Sequence, residues 1–205
     1  MVNNEYWDEF YRGWQLAVPS QFCALVSAHL EAGDLVVDFG CGNGRDAIWF
    51  GNFGYPVLAI DASEQAIVHA RGQTPPRAKV EYHVADIGEI ERISELIRGW
   101  RRAGRMVCYA RFFLHAISAA QEASFFRILA EVLEKGDRCF FEFRTLADAS
   151  GEKVFGDHYR RYIDIESLVS RAASFGFVST YLVEGVGMAY FRGEDAVVGR
   201  LFLER

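Results

Sequence analysis

Hydrophobic positions along the chain fall into short runs separated by segments of helical spacing. The run DLVVDFG (34–40) has the continuous apolar character of a strand buried on both faces. RDAIWFGNFG (45–54) follows as a helix closed by Gly54. PVLAID (56–61) predicts the next strand, and Ser63 stands where an N-cap would, opening EQAIVHAR. In KVEYHVAD (79–86), Val80, Tyr82 and Val84 alternate with Glu81 and His83, the period of a third strand. Ile90, Ile93, Ile97 and Trp100 keep helical spacing, with Leu96 beside them. RMVCYA (105–110) predicts strand four. Phe126, Leu129, Ala130 and Leu133 predict an amphipathic helix, and RCFFEF (138–143) a fifth strand. Ile165, Leu168, Val169 and Ala172 mark a helix stopped by Gly176. FVSTYLVE (177–184) and AVVGRLFLE (196–204) then follow with no helix between them.

Alternating strands and helices predict an α/β fold, a seven-stranded and mostly parallel sheet with helices on both faces. The short connection between the last two strands predicts an antiparallel final pair. Residues 1–205 read as a single domain, without a linker, repeat or low-complexity segment. One long irregular region, TLADASGEKVFGDHYRRYI (145–163), interrupts the pattern, and long loops in compact domains are often functional.

Composition narrows the classes. With 51% hydrophobic residues the chain is globular and not disordered. A net charge of -6 argues against a general nucleic-acid binder, which carries a basic footprint. No run of about 18 apolar residues occurs, so no membrane span is expected. The stretch MVNNEYWDEFYRGW has acids and aromatics where a signal peptide has a basic start and an apolar stretch. Cys23, Cys41, Cys108 and Cys139 lie far apart with no CxxC pair, which speaks against a zinc or redox motif and fits a reducing, cytoplasmic setting.

The candidate chemistry begins at VVDFGCGNGRD (36–46). Asp38 ends the first strand, and Gly40, Gly42 and Gly44 alternate with other residues, which suits a ligand lying against backbone. The dinucleotide pattern GxGxxG would need a glycine at 45, where Arg45 stands, and no GK[ST] follows for a P-loop. Asp61 ends strand two, where an acid accepts hydrogen bonds from ribose hydroxyls and would repel a ribose phosphate. Asp86 ends strand three, within reach of an adenine amino group.

An acid before GxGxG, with acids ending strands two and three, resembles the class I S-adenosylmethionine-dependent methyltransferases. The resemblance covers roughly residues 34–144, and the closing strand pair agrees with the Rossmann-like sheet of that family. It implies S-adenosyl-L-methionine as cofactor, bound by Asp38, Gly40, Gly42, Asp61 and Asp86, with Ala62 and Ile87 beside ribose and adenine. Gly44 reads either as part of this loop or as a helix-packing glycine. The cofactor has no pyrophosphate to cradle, and its sulfonium and amino acid end suit an acidic, backbone-lined groove.

Acceptor-side candidates follow from the same frame. YARFFLHAI (109–117) follows strand four, the segment that runs beside the methyl group in the resembled family. His115 is the general-base candidate, since its unperturbed pKa lies near neutrality; the alternative is a histidine that caps or packs. Arg111 binds the cofactor carboxylate, pairs with an acid or faces solvent. Glu142 and Arg144 share one face of strand five, as a structural salt bridge or as pocket lining. His158, Tyr159, Arg160 and Arg161 suit a polyhydroxylated or anionic group, or form a solvated loop. Tyr6, Trp7 and Tyr11 belong to an aromatic helix that either packs on the core or, as the resemblance implies, helps residues 1–30 form a helical lid over the ligand; 145–163 is then the substrate loop. His29, His69, His83 and His158 show no metal-ligand spacing, so no transition metal is expected. Carboxylates can hold Mg2+, but nothing in the spacing calls for it.

The expected activity is O-methylation of a sugar, oligosaccharide or other small hydroxylated acceptor, without nucleic acid or membrane. YARFFLHAI, EFR, HYRRYI and the closing segment resemble small sugar O-methyltransferases of polysaccharide biosynthesis. A detoxifying S-, N- or metalloid methyltransferase is the second reading, and a non-catalytic cofactor-binding partner protein the third. The apolar pair at 177–204 offers a surface for a homodimer.

Overall fold

A computed structural model of the chain describes residues 18–150, 159–191 and 193–205. Tyr6, Trp7, Tyr11 and His158 therefore lie outside the described residues.

Seven strands form one sheet. They are β1 (Leu35–Phe39), β2 (Val57–Asp61), β3 (Val80–Val84), β4 (Met106–Arg111), β5 (Arg138–Arg144), β6 (Val178–Gly185) and β7 (Val198–Glu204). Their order is β3-β2-β1-β4-β5-β7-β6. The first five pair in parallel, and β7 runs antiparallel to both β5 and β6. This is the expected seven-stranded, Rossmann-like sheet with an antiparallel end.

Among the described residues six helices cover it: α1 (Gln21–Ser27), α2 (Arg45–Asn52), α3 (Glu64–Gln73), α4 (Ile90–Trp100), α5 (Ala119–Val132) and α6 (Ile165–Ser174). One face is packed by Ile93 and Ile97 of α4, Phe125 and Leu129 of α5, and Leu168 of α6. The opposite face takes Phe22 and Val26 of α1, Phe50 of α2, and Ile67 of α3. Burial on both faces explains why β1 and β4 read as continuous apolar runs.

Helix starts are set by side-chain caps. Ser63 accepts from the Ala66 N–H, as expected from its position before α3. Ser20 caps α1 in the same way, inside the 1–30 segment that was expected to be helical. α5 begins earlier than its apolar spacing suggested, because Ser118 and Gln121 form a reciprocal capping box. α2 runs to Asn52 with Phe53 as its cap, and Gly54, left-handed at φ 93°, closes it as expected.

Candidate cofactor and acceptor site

The carboxyl ends of β1 to β5 meet along one edge of the sheet. After β1 the chain turns sharply enough that Gly40, Gly42 and Gly44 all take left-handed φ angles, of 69°, 54° and 76°. At two of them the surroundings forbid a side chain outright. A Cβ on Gly40 would lie 2.6 Å from the Phe113 ring, and one on Gly44 would lie 2.6 Å from the Tyr82 hydroxyl and 2.9 Å from the Ala70 Cβ. Gly44 thus serves the packing of α2 and β3, one of its two expected roles.

The loop is tied to its neighbours by backbone. Gly40 and Cys41 N–H both donate to the Ile60 carbonyl, at 2.8 and 3.2 Å. The Asp61 carboxylate accepts from the Gly42 N–H and from the Ser63 N–H, each at 2.8 Å. Ala62 is the residue between these two contacts. Asp86 accepts from the Gly88 N–H at 2.8 Å, and Ile87 beside it is buried in the core.

Asp38 is buried, and its carboxyl accepts no hydrogen bond from the described residues. Burial, with Asp46 and Asp61 close by, pushes it well above the usual carboxylate range. A buried acid beside two other acids fits a ligand that brings a cation. This is the arrangement that the amino acid end of a sulfonium cofactor requires, so the residues present fit the group.

Asp46, in the first turn of α2, organises the same edge. Its Oδ1 accepts from the Ser20 N–H at 2.8 Å and the Arg45 Nε–H at 3.2 Å. Its Oδ2 accepts from the Ser20 and Tyr109 hydroxyls, both at 2.7 Å. Burial opposes its charge, but Arg45, Arg111 and the Ser20 bonds outweigh that and hold the carboxyl below its ordinary value.

On the acceptor side, Glu142 and Arg144 are both buried but are not bonded to one another. Glu142 is held between two guanidiniums, accepting from Arg111 Nε at 2.9 Å and Arg200 Nε at 2.8 Å. These three residues lie opposite one another across β4, β5 and β7. Arg144 pairs instead with Asp148 at 2.6 Å and with Glu194 at 2.5 Å. Of the three roles open to Arg111, pairing with an acid is the one its geometry displays. Burial works against its charge, and Glu142 and Asp46 more than offset that, raising its pKa.

His115 lies in a short 3-10 turn after β4 and is buried. Its Nδ1 accepts from the Arg144 N–H at 3.1 Å, and its carbonyl accepts from the Arg161 N–H at 2.8 Å. An amide can only donate, so the neutral ring carries its proton on Nε2. In this state Nδ1 is occupied by the Arg144 amide, and Nε2 carries the ring proton. Arg161 is turned inward. It pairs with Glu122 and donates to the carbonyls of Leu114 and Ile117, so its hydrogen-bonding capacity serves the protein. Tyr159 is exposed and Arg160 half-buried. The ends of the 145–163 segment are joined by a bridge between Thr145 and Ile163.

Three contributors were missed by sequence reasoning. Arg200 could have been found, since a charge in VVGRLFLE raises the question already asked of Glu142. Asp46 carries a weaker signal, an acid in the first helical turn after the glycines. Phe112 carries none. Its backbone is left-handed at φ 55°, a strained state for a bulky residue. Arg111 lies over its ring at 4.3 Å, and His115 meets the ring edge-on at 5.1 Å. Among the described residues, no group of His, Cys, Asp and Glu is arranged to hold a metal ion, and no helix is long and apolar enough to cross a membrane.

Residues 36–136 match a family model described as a methyltransferase domain. Over 56 residues the chain is 39% identical to magnesium-protoporphyrin O-methyltransferase of Rhodobacter capsulatus, a match spanning 26% of this chain and 25% of that relative's length. The fold matches a SAM-dependent methyltransferase from Anabaena variabilis with a TM-score of 0.75 at 16% identity, covering 100% of this chain and 93% of the other. It also matches magnesium protoporphyrin IX methyltransferase from Synechocystis PCC 6803 with bound SAH, with a TM-score of 0.63 at 16% identity, over 100% of this chain and 83% of that one. Residues 36–136 thus carry a methyltransferase domain, built on the seven-stranded sheet that S-adenosylmethionine-dependent methyltransferases share, with the glycine loop and its acids in place.

Proposed function

We propose that the chain transfers a methyl group from S-adenosylmethionine to an oxygen atom of a small acceptor. The observation that carries the reading is the edge formed by Asp38, the Gly40–Gly44 loop and Asp61, where one carboxyl is buried beside two other acids and a second holds the loop's Gly42 amide. Oxygen as the target is supported by the name of the curated relative, an O-methyltransferase. When bound, the cofactor supplies an electrophilic methyl group on a sulfonium. The chain's own part is to hold the acceptor in line with it, and positioning supplies much of the rate.

A sugar or other hydroxylated acceptor, as expected from the sequence, must lose a proton during transfer. His115, whose Nδ1 is taken by the Arg144 N–H, is the side chain beside this edge that the proposal tests for a part in that step. The loop 145–163 and residues 1–30 remain the proposed acceptor-side elements of a single domain. All four cysteines are unbridged, which supports a reducing cytoplasmic setting.

The test is calorimetric titration of the purified protein with S-adenosylmethionine and S-adenosylhomocysteine, beside Asp61→Ala. Wild-type binding should weaken by roughly ten-fold or more in the variant, the loss of hydrogen bonds to a charged group. A wild type that binds neither compound would sink the reading.

A further inference from the structure

Arg111 is held more firmly than its bonds require. Its Nε is bonded to Glu142, whose side chain is fully buried, and its guanidinium lies over the Phe112 ring. Phe112 sits there at the cost of a left-handed backbone. Its amide is fixed as well, donating to the Glu142 carbonyl at 2.7 Å. The plane and direction of the guanidinium are thereby set by two neighbours, one of them strained.

What is set in place is unused. A guanidinium has five N–H donors. Arg111 spends its Nε–H on Glu142, and its terminal nitrogens have no acceptor in the described structure, although only 18% of the side chain is exposed. The neighbouring arginines differ. Arg200 spends its Nε on Glu142 and a terminal nitrogen on the Met188 carbonyl. Arg144 pairs through its terminal nitrogens with two acids, Asp148 and Glu194. The two acids nearest Arg111 are each shared, Glu142 with Arg200 and Asp46 with Arg45. Of these three arginines, Arg111 is the one whose terminal nitrogens have no acceptor among the described residues.

We propose that the terminal edge of Arg111 is a carboxylate receptor and that the acceptor methylated by this enzyme is a carboxylic acid. A planar pair of N–H donors matches the two oxygens of a carboxylate, the bidentate geometry in which arginine binds most strongly. The site lies at the ends of β4 and β5, beside His115, whereas Asp61 and Asp86 lie on the β2 and β3 side. A carboxylate oxygen that takes the methyl forms the new O–C bond with its own lone pair. The electrons of the broken S–C bond stay on sulfur, the sulfonium becomes a neutral thioether, and the product is a neutral methyl ester. No proton is released, so no base is needed. A hydroxyl would have to lose one.

The inference rests on the methyltransferase reading, and one experiment separates the two. Benzoate and benzyl alcohol serve as probes, titrated by calorimetry into protein saturated with S-adenosylhomocysteine. Benzoate should bind at least ten-fold more tightly than the alcohol. Arg111→Gln should weaken benzoate roughly ten- to hundred-fold, the range for bonds to a charged group. Arg111→Lys keeps the charge beside Glu142 but loses the fork, and should fall between them. Benzoate binding no better than the alcohol would overturn the inference while leaving the methyltransferase reading intact. So would a loss confined to S-adenosylhomocysteine affinity in Arg111→Gln, since the receptor would then serve the cofactor's own carboxylate. A wild type that binds no S-adenosylhomocysteine would remove both.

Discussion

Replacing Asp46 with asparagine keeps the shape of the side chain and removes its charge. Two donors meet each oxygen in the wild type: the Ser20 N–H and Arg45 Nε–H on Oδ1, the Ser20 and Tyr109 hydroxyls on Oδ2. The less costly amide orientation turns its NH2 toward the hydroxyls, which can rotate to accept, and keeps the oxygen for the N–H groups, which cannot. What is lost is the charge assistance, and Arg45 and Arg111 are left with less compensation. Hydrogen bonds to charged groups contribute about 1.5–3 kcal/mol each and broken buried pairs about 3–5 kcal/mol. With partial rescue by the hydroxyls, the expected cost is about 2–4 kcal/mol. For a chain of this size that is a fall in Tm of roughly 4–16 °C. The sign of the pH dependence is fixed by the folded pKa lying below the ordinary 3.8. Asp46 then stabilises the fold fully above that value, and the contribution is lost as pH falls through the folded pKa. Urea unfolding of wild type and Asp46→Asn, followed by circular dichroism, should show a constant gap between pH 5 and 8 that narrows below pH 4. A gap under about 1 kcal/mol at pH 7, or one that narrows on the alkaline side, would refute the reasoning.

Gly44→Ala should destabilise by about 2–4 kcal/mol in thermal unfolding, combining left-handed strain with a Cβ driven against Tyr82 and Ala70; a neutral variant would contradict the packing at that position. Asp38 holds its proton more tightly than an ordinary carboxyl, and a cofactor ammonium would draw it into the charged form, so S-adenosylhomocysteine binding at pH 7 should release up to about one proton. Titration in phosphate and Tris reads this directly, and identical heats in the two buffers would contradict it. Arg161→Gln should lower Tm, because Glu122 loses one of the two arginines on it and the Leu114 and Ile117 carbonyls lose their donor; an unchanged Tm would return Arg161 to the acceptor loop.

The sheet is legible because burial on both faces writes strands as unbroken apolar runs, and the three acids are legible because each ends such a run. α1 is less so: its seven residues carry too little periodicity to separate them from the aromatic segment before them. The pairing of the acceptor side is harder still. Glu142 and Arg144 stand two apart on one face, and sequence suggests that they serve each other. The partners that win, Arg111, Arg200, Asp148 and Glu194, come from other strands and loops, brought in by strand register and by the chain returning between β6 and β7. Nor does the residue type of Phe112 announce a left-handed backbone, since only the tertiary structure holds it there.

The placement of β7 has a consequence for the making of the protein. β7 is inserted between β5 and β6 although it follows both along the chain. Until residues 198–204 have emerged, β5 ends the growing sheet as an open edge carrying Phe140, Phe141 and Phe143, and β6 has no strand to join. From the end of β5 at 144 to the end of β7 at 204 is 60 residues, which at about 5–20 residues per second keeps that edge open for about 3–12 s. Nascent chains are thus exposed to edge-to-edge association over this interval, and a ribosome stalled within it would release a species with the glycine loop formed and the sheet unsealed. Crowding of polysomes and the supply of chaperones then bear on the yield of this enzyme through β7 more than through any residue of its site.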